Sequence, residues 1–212
     1  MRYPGWRLLL FLGAAFFPCY WLYLAGAGAL GPDPGKVLVD DLGQGALILL
    51  LCSLAMTPLQ KLTGLAGWMT FRRQLGLWSL GYGVLHLASY LYFVLGWDFS
   101  GFAAELIDRP YIAVGAIALA GLLTLGATST RWSMRKLGKR WKKLHRIVYA
   151  IVFIVLIHML WVVRSDVGEW LLYASIAACL VLARVPGIQK CLVRSGAEAR
   201  QLAIFRDSSN NR

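Results

Sequence analysis

The sequence predicts an all-α membrane protein, a six-transmembrane-helix bundle with its N- and C-termini in the cytoplasm. Three observations predict it. Hydrophobic residues make up 58% of the chain and charged residues only 15%, with a mean hydropathy of +0.60. That balance is typical of polytopic membrane proteins rather than soluble domains. Six apolar runs, 8–29, 42–56, 74–95, 111–128, 147–163 and 170–185, reach or approach the length of about 20 residues that a helix needs to span the hydrocarbon. The charges then segregate between alternate loops. Of the 22 Lys and Arg, 18 fall in the N-terminus, the 57–73 and 129–146 loops and the C-terminal tail, and Arg184 stands at the end of the sixth run that leads into that tail. Eight of the ten acidic residues (Asp33, Asp40, Asp41, Asp98, Glu105, Asp108, Asp166, Glu169) fall in the three loops between. Basic loops stay cytoplasmic, and an odd number of spans would break the alternation.

The first run follows Arg2 and Arg7 and contains "FFPCYWLY". It is as long as a full span and has no clear A-x-A cleavage site, so it is expected to be an uncleaved span rather than a signal peptide. "GPDPG" at 31–35 marks a turn-rich outer loop. The second run is short and ends in "MTPL"; the third holds "RRQLGLWSLGYGVLHLASYLYF". Between the fourth and fifth lies "RWSMRKLGKRWKKLHR", 131–146, a topology anchor whose Trp132 and Trp141 are ordinary interfacial aromatics. The same stretch also offers an anion site for a propionate, a flavin phosphate or an acidic partner. The sixth run is again short. Residues 1–7 thus form a cytoplasmic N-terminus, 8–185 the transmembrane domain, and 186–212 a cytoplasmic tail too short for a nucleotide-binding domain. No internal repeat is visible.

The net charge of +12 does not point to nucleic acid, because the cations sit in short clusters between apolar runs. Cys19, Cys52, Cys179 and Cys191 form neither a CxxC pair nor a CxxCH haem-attachment motif, and are expected to be free thiols.

The chain's three histidines carry the chemistry. His86 lies 13 residues after Arg73, and His158 lies 13 residues after His145. The third and fifth runs cross in the same direction, so both imidazoles sit about 20 Å beyond the cytoplasmic boundary, at matching depth. In a hydrocarbon core about 30 Å thick that is the outer half. Polar side chains at such a depth are costly and tend to be functional. Two imidazoles at one depth suit the two axial positions of one haem iron. A packing role remains the plain alternative, and a transporter or haem-handling channel that binds its cargo through these histidines is the functional one. A divalent-cation pathway is disfavoured because no intramembrane carboxylate stands near them.

Gly76, Gly81 and Gly83 precede His86 and either admit a flat macrocycle or pack against helices. Tyr82 and Tyr90 share the His86 face and either line a haem edge or fill the core. His145 belongs at the cytoplasmic boundary, opposite Arg72 or Arg73 on the third run. It ligates a second haem, bonds a propionate or caps the interface. Arginine does not ligate iron in the ordinary way because it stays protonated, but it clamps propionates and phosphates well.

At these residues the sequence resembles a known family. "RRQLGLWSLGYGVLHL", the "MTPL" of the second run and "LGKRWKKLHRIVYAIVFIVLIHMLW" look like the MsrQ (YedZ) family. These are haem-binding membrane subunits of the bacterial protein-methionine-sulfoxide reductase system, within the wider ferric-reductase-like transmembrane group. The resemblance covers nearly the whole chain. It implies a bacterial inner-membrane, multi-pass electron-transfer subunit with b-type haem held by His86 and His158, and with His145 as a candidate for a second haem whose counterpart on the third run is Arg72 or Arg73 rather than histidine. It further implies bound FMN, and Arg72, Arg73, Arg146 and Tyr82 are candidate cofactor contacts along with the histidines. Electrons would come from quinol or a cytoplasmic flavin reductase. They would pass to a periplasmic molybdopterin-containing reductase of the MsrP type that repairs oxidised proteins, and that partner would hold the catalytic site.

Overall fold

The computed structural model describes residues 4–65, 67–163, 167–191 and 193–194. Arg164, Asp166 and the tail from 195 onward, which enter the charge pattern above, lie outside the described residues. Among the described residues nine α-helices follow in order: α1 Pro4–Gly26, α2 Pro34–Thr63, α3 Trp68–Ser89, α4 Phe99–Asp108, α5 Pro110–Ala127, α6 Arg131–Leu137, α7 Lys139–Leu144, α8 Val148–Val162 and α9 Val167–Leu182. A π-helical turn, Tyr90–Val94, extends α3, and a 3-10 turn, His145–Ile147, joins α7 to α8. Five helical stretches are long and apolar enough to cross a membrane, and α9 is a shorter apolar helix of 16 residues.

Helix α2 is twice the length of the apolar run that predicts it. The run 42–56 is interrupted on its N-terminal side by Asp40 and Asp41, yet the helix begins at Pro34. Asp33 caps it, accepting from the Lys36 amide at 3.0 Å, and proline at the first position loses no bond the helix needs. At the other end Gly64 takes φ 70° and donates its amide to Gln60, a left-handed stop that glycine adopts without strain. The expected outer loop between the third and fourth runs contains α4. Its Glu105 accepts from Tyr90 Oη at 3.1 Å and pairs with Arg109 Nε at 2.9 Å.

Both prolines inside spanning helices leave a carbonyl without its helical donor, and in each case another helix supplies one. Pro18 has no N–H for Ala14 O, four residues earlier; Tyr82 Oη donates to that oxygen at 2.7 Å. Pro58 has none for Leu54 O; Arg184 Nη2 donates to it at 2.7 Å. An orphaned carbonyl in a dry interior costs several kcal/mol on the order of the amide transfer energy, so these bonds lock α1 to α3 and the end of α9 to α2. Gln44 adds a second tie between α2 and α9 by donating to the Glu169 carboxylate.

The larger core cluster lies among α2, α5, α8 and α9, around Leu54, Leu122, Ile151 and Ala177. A smaller one gathers Leu38, Leu42 and Tyr82 with Trp21 and Trp78. Since lipid is as apolar as these side chains, close packing and polar ties rather than burial from water hold the helices together. Helix α1 leaves Leu8, Phe11, Leu12 and Phe16 exposed, the composition of a lipid-facing surface.

Candidate functional site

Two helix pairs deliver the site. Helix α3 lies against α2, and α8 lies against α5. Each pair places a histidine beside a carbonyl and a glycine on the partner helix. His86 Nδ1 is 2.8 Å from Val39 O, and His158 Nδ1 is 2.7 Å from Tyr111 O. A carbonyl only accepts, so both imidazoles carry their proton on Nδ1 and are neutral there or fully protonated. One turn beyond each carbonyl stands a glycine. A Cβ on Gly43 would lie 2.9 Å from His86 Nδ1, and one on Gly115 would lie 2.8 Å from His158 Cε1. Real side chains do not approach so closely, so these helices admit the rings only because the residues there are glycine.

The two halves correspond at a constant spacing. Val39 and Tyr111, Gly43 and Gly115, and His86 and His158 are each 72 residues apart, and each histidine follows its carbonyl by 47. The two units thus match in spacing and in the contacts they make.

The two units bring their histidines together. The ring centres of His86 and His158 are 6.2 Å apart and the planes are at 89°. An imidazole nitrogen sits about 2 Å from a bound metal and about 1 Å from its own ring centre, so two imidazoles that approached one metal from opposite sides would place their centres about 6 Å apart. Neither Nε2 has a hydrogen-bond partner among the described residues, and Nε2 is the atom left to ligate once Nδ1 is engaged. No group of three His, Cys, Asp or Glu that could hold a metal ion occurs among the described residues. A bare cation would be left short of ligands, whereas a haem iron brings four of its own. The pair therefore fits haem.

The remaining predicted residues fall elsewhere. Tyr82 is buried with its hydroxyl committed to Ala14 and its ring among Leu38, Leu42 and Trp21. Tyr90 bonds Glu105. On α3, Gly83 faces Leu119 of α5, Gly76 faces Ser53 of α2, and Gly81 meets only Trp78 of its own helix within 4 Å. The glycines that touch imidazole, Gly43 and Gly115, lie on the facing helices and carry no motif of their own. Only the constant spacing of 72, applied to both histidines, points to them.

At the basic end, His145 Nε2 lies 3.2 Å from Thr128 Oγ1 and its ring stacks on Trp141, centres 4.1 Å apart. Arg72 turns inward and donates to Thr57 Oγ1 at 3.3 Å; Arg73 and Arg146 are exposed. A further interior cation, Arg184, lies over the Tyr149 ring at 5.2 Å. It stood inside the sixth apolar run, where sequence offers no sign of its partner.

Residues 42–157 match the family described as ferric reductase like transmembrane component. The chain is also similar to a protein of Brucella anthropi, the protein-methionine-sulfoxide reductase heme-binding subunit MsrQ. The two are 39% identical over 184 residues, 86% of this chain and 83% of that relative.

Proposed function

Because the chain belongs to the ferric-reductase-like transmembrane family, and within it to the haem-binding MsrQ subunits, we propose that it holds haem b between His86 and His158 and serves a methionine sulfoxide reductase as its membrane electron carrier. One observation carries this reading: two imidazoles from different helices, 6.2 Å between centres, each with Nδ1 engaged by a main-chain carbonyl. When bound, haem supplies a one-electron couple inside the hydrocarbon.

The chain's own residues determine how that couple is used. Val39 O and Tyr111 O fix the tautomer that presents Nε2 and anchor each ring at Nδ1. His86 and His158 would together hold the haem iron, leaving it no open position for substrate, so the site would transfer electrons without chemistry of its own. The packed helices leave both rings only partly exposed. His145, Arg72, Arg73 and Arg146 stand about 20 Å away along the helices and serve the arrival of electrons at the basic end. Arg72 commits one N–H to Thr57, leaving donors for an anionic group such as a propionate or the phosphate of FMN. In this reading the basic end is cytoplasmic and receives electrons from quinol or a flavin reductase. The acidic end is periplasmic and hands them to a molybdopterin-containing reductase.

The visible spectrum of the purified full chain tests the proposal. The expected result is a red protein with sharp α and Soret bands on reduction, and loss of the low-spin bands in both His86→Ala and His158→Ala. A colourless protein, or unchanged spectra in both variants, would overturn it.

A further inference from the structure

The two glycines facing the histidines do more than make room. A ring held at Nδ1 by a carbonyl keeps one freedom, rotation about that hydrogen bond, and the glycine surface one turn along limits it. For Gly43 the three nearest atoms to an added Cβ all belong to His86, at 2.9, 3.1 and 3.7 Å. For Gly115 all three belong to His158, at 2.8, 2.9 and 3.3 Å. The same carbonyl-and-glycine cradle thus occurs twice, on α2 and on α5, and the two cradles set their rings at 89° to each other. We propose that Gly43 and Gly115 are positioning residues that hold the axial imidazoles near-perpendicular and so tune the electronic state of the iron, an inference that rests on the haem reading above.

The physical consequence is specific. Each imidazole donates from a p orbital normal to its ring plane. Coplanar rings raise one iron d orbital above its partner; perpendicular rings act on both alike and leave them nearly degenerate. The ferric, low-spin iron then has a strongly anisotropic magnetic signal with a large maximum g value, distinct from the ordinary three-line rhombic signal of coplanar rings. Axial-ligand orientation is also among the protein's means of setting the potential.

Electron paramagnetic resonance of the oxidised full chain, extracted in detergent, is the test, with redox titration alongside. The unsubstituted protein should show the large-g signal for the His86–His158 haem. A rhombic, coplanar-type signal in its place would overturn the inference while leaving bis-histidine ligation intact. Absence of any bis-imidazole signal would overturn both. Gly43→Ala and Gly115→Ala should lower the maximum g value and move the midpoint potential at unchanged haem content. Gly76→Ala and Gly81→Ala, whose nearest contacts are 3.5 and 3.9 Å, should do neither. Selective haem loss from the first pair in correctly inserted protein, with the second pair normal, would also support ring displacement. Spectra and potentials of Gly43→Ala and Gly115→Ala identical to the unsubstituted protein would overturn it, whatever the function of the haem.

Discussion

His145 shows how far a single residue can be read. Its sequence position, at the junction of a basic cluster and an apolar run, places it at a membrane boundary. Its neighbours, Thr128 at 3.2 Å and Trp141 stacked at 4.1 Å, come from the α5 C-terminus and from α7. The Trp141 contact follows the i, i+4 spacing of one helical turn, whereas no spacing rule in the sequence announces Thr128. Replacing His145 with alanine removes a half-buried hydrogen bond worth about 1 kcal/mol, so the variant should insert and fold. We expect it to keep the His86–His158 spectrum and to be reduced normally by dithionite, but to accept electrons more slowly from a quinol analogue or flavin donor. Any haem that depends on His145 should be lost selectively, lowering haem per protein. Stopped-flow reduction by the two kinds of donor makes the comparison. Loss of all haem from inserted His145→Ala would mean that His86 and His158 do not suffice as a pair. At this scale the sequence made the histidines and their equal depths legible. It did not show Gly43 and Gly115, since a helical glycine announces nothing until the facing side chain is known.

Among the elements, the prolines give the sharpest test. Pro18 and Pro58 each break one helical hydrogen bond, and Tyr82 and Arg184 each repair one from another helix. Tyr82→Phe should therefore leave Ala14 O without a donor at a cost of about 1–3 kcal/mol. In a Pro18→Ala background the helix regains its own N–H donor, and the same Tyr82→Phe change should cost much less. A double-mutant cycle, read by thermal unfolding in detergent, should show coupling of at least about 1 kcal/mol. Additive effects would mean that the Tyr82 bond does not compensate for Pro18. The sequence placed both prolines in spans but not their partners, which lie 68 and 130 residues from the carbonyls they serve. It also placed the apolar runs well, yet undersized α2. Asp40 and Asp41 read as the edge of a span, whereas a capped helix runs through charged residues once Asp33 and Pro34 have started it.

For the molecule as a whole, the distribution of charge makes the prediction. Among the described residues, Asp33, Asp40, Asp41, Asp98, Glu105, Asp108 and Glu169 occupy one end of the bundle, and the basic stretch 131–146 occupies the other. A reporter fused after Arg212 should be active only in the cytoplasm and one inserted near Asp33 only outside it. Both reporters active on one side would refute six spans with cytoplasmic termini. The sequence alone determined that this is a multi-pass helical membrane protein, because hydropathy and charge act on each segment independently of the others. It also set His86 and His158 the same 13 residues beyond Arg73 and His145, from which equal depth is expected. Tertiary structure decided what depth cannot: which way the rings face, which carbonyls hold them, and that α2–α3 and α5–α8 are two copies of one cradle. Those facts depend on rotation about each helix axis and on contact across helices. Packing sets both, and no residue in the sequence encodes either by itself.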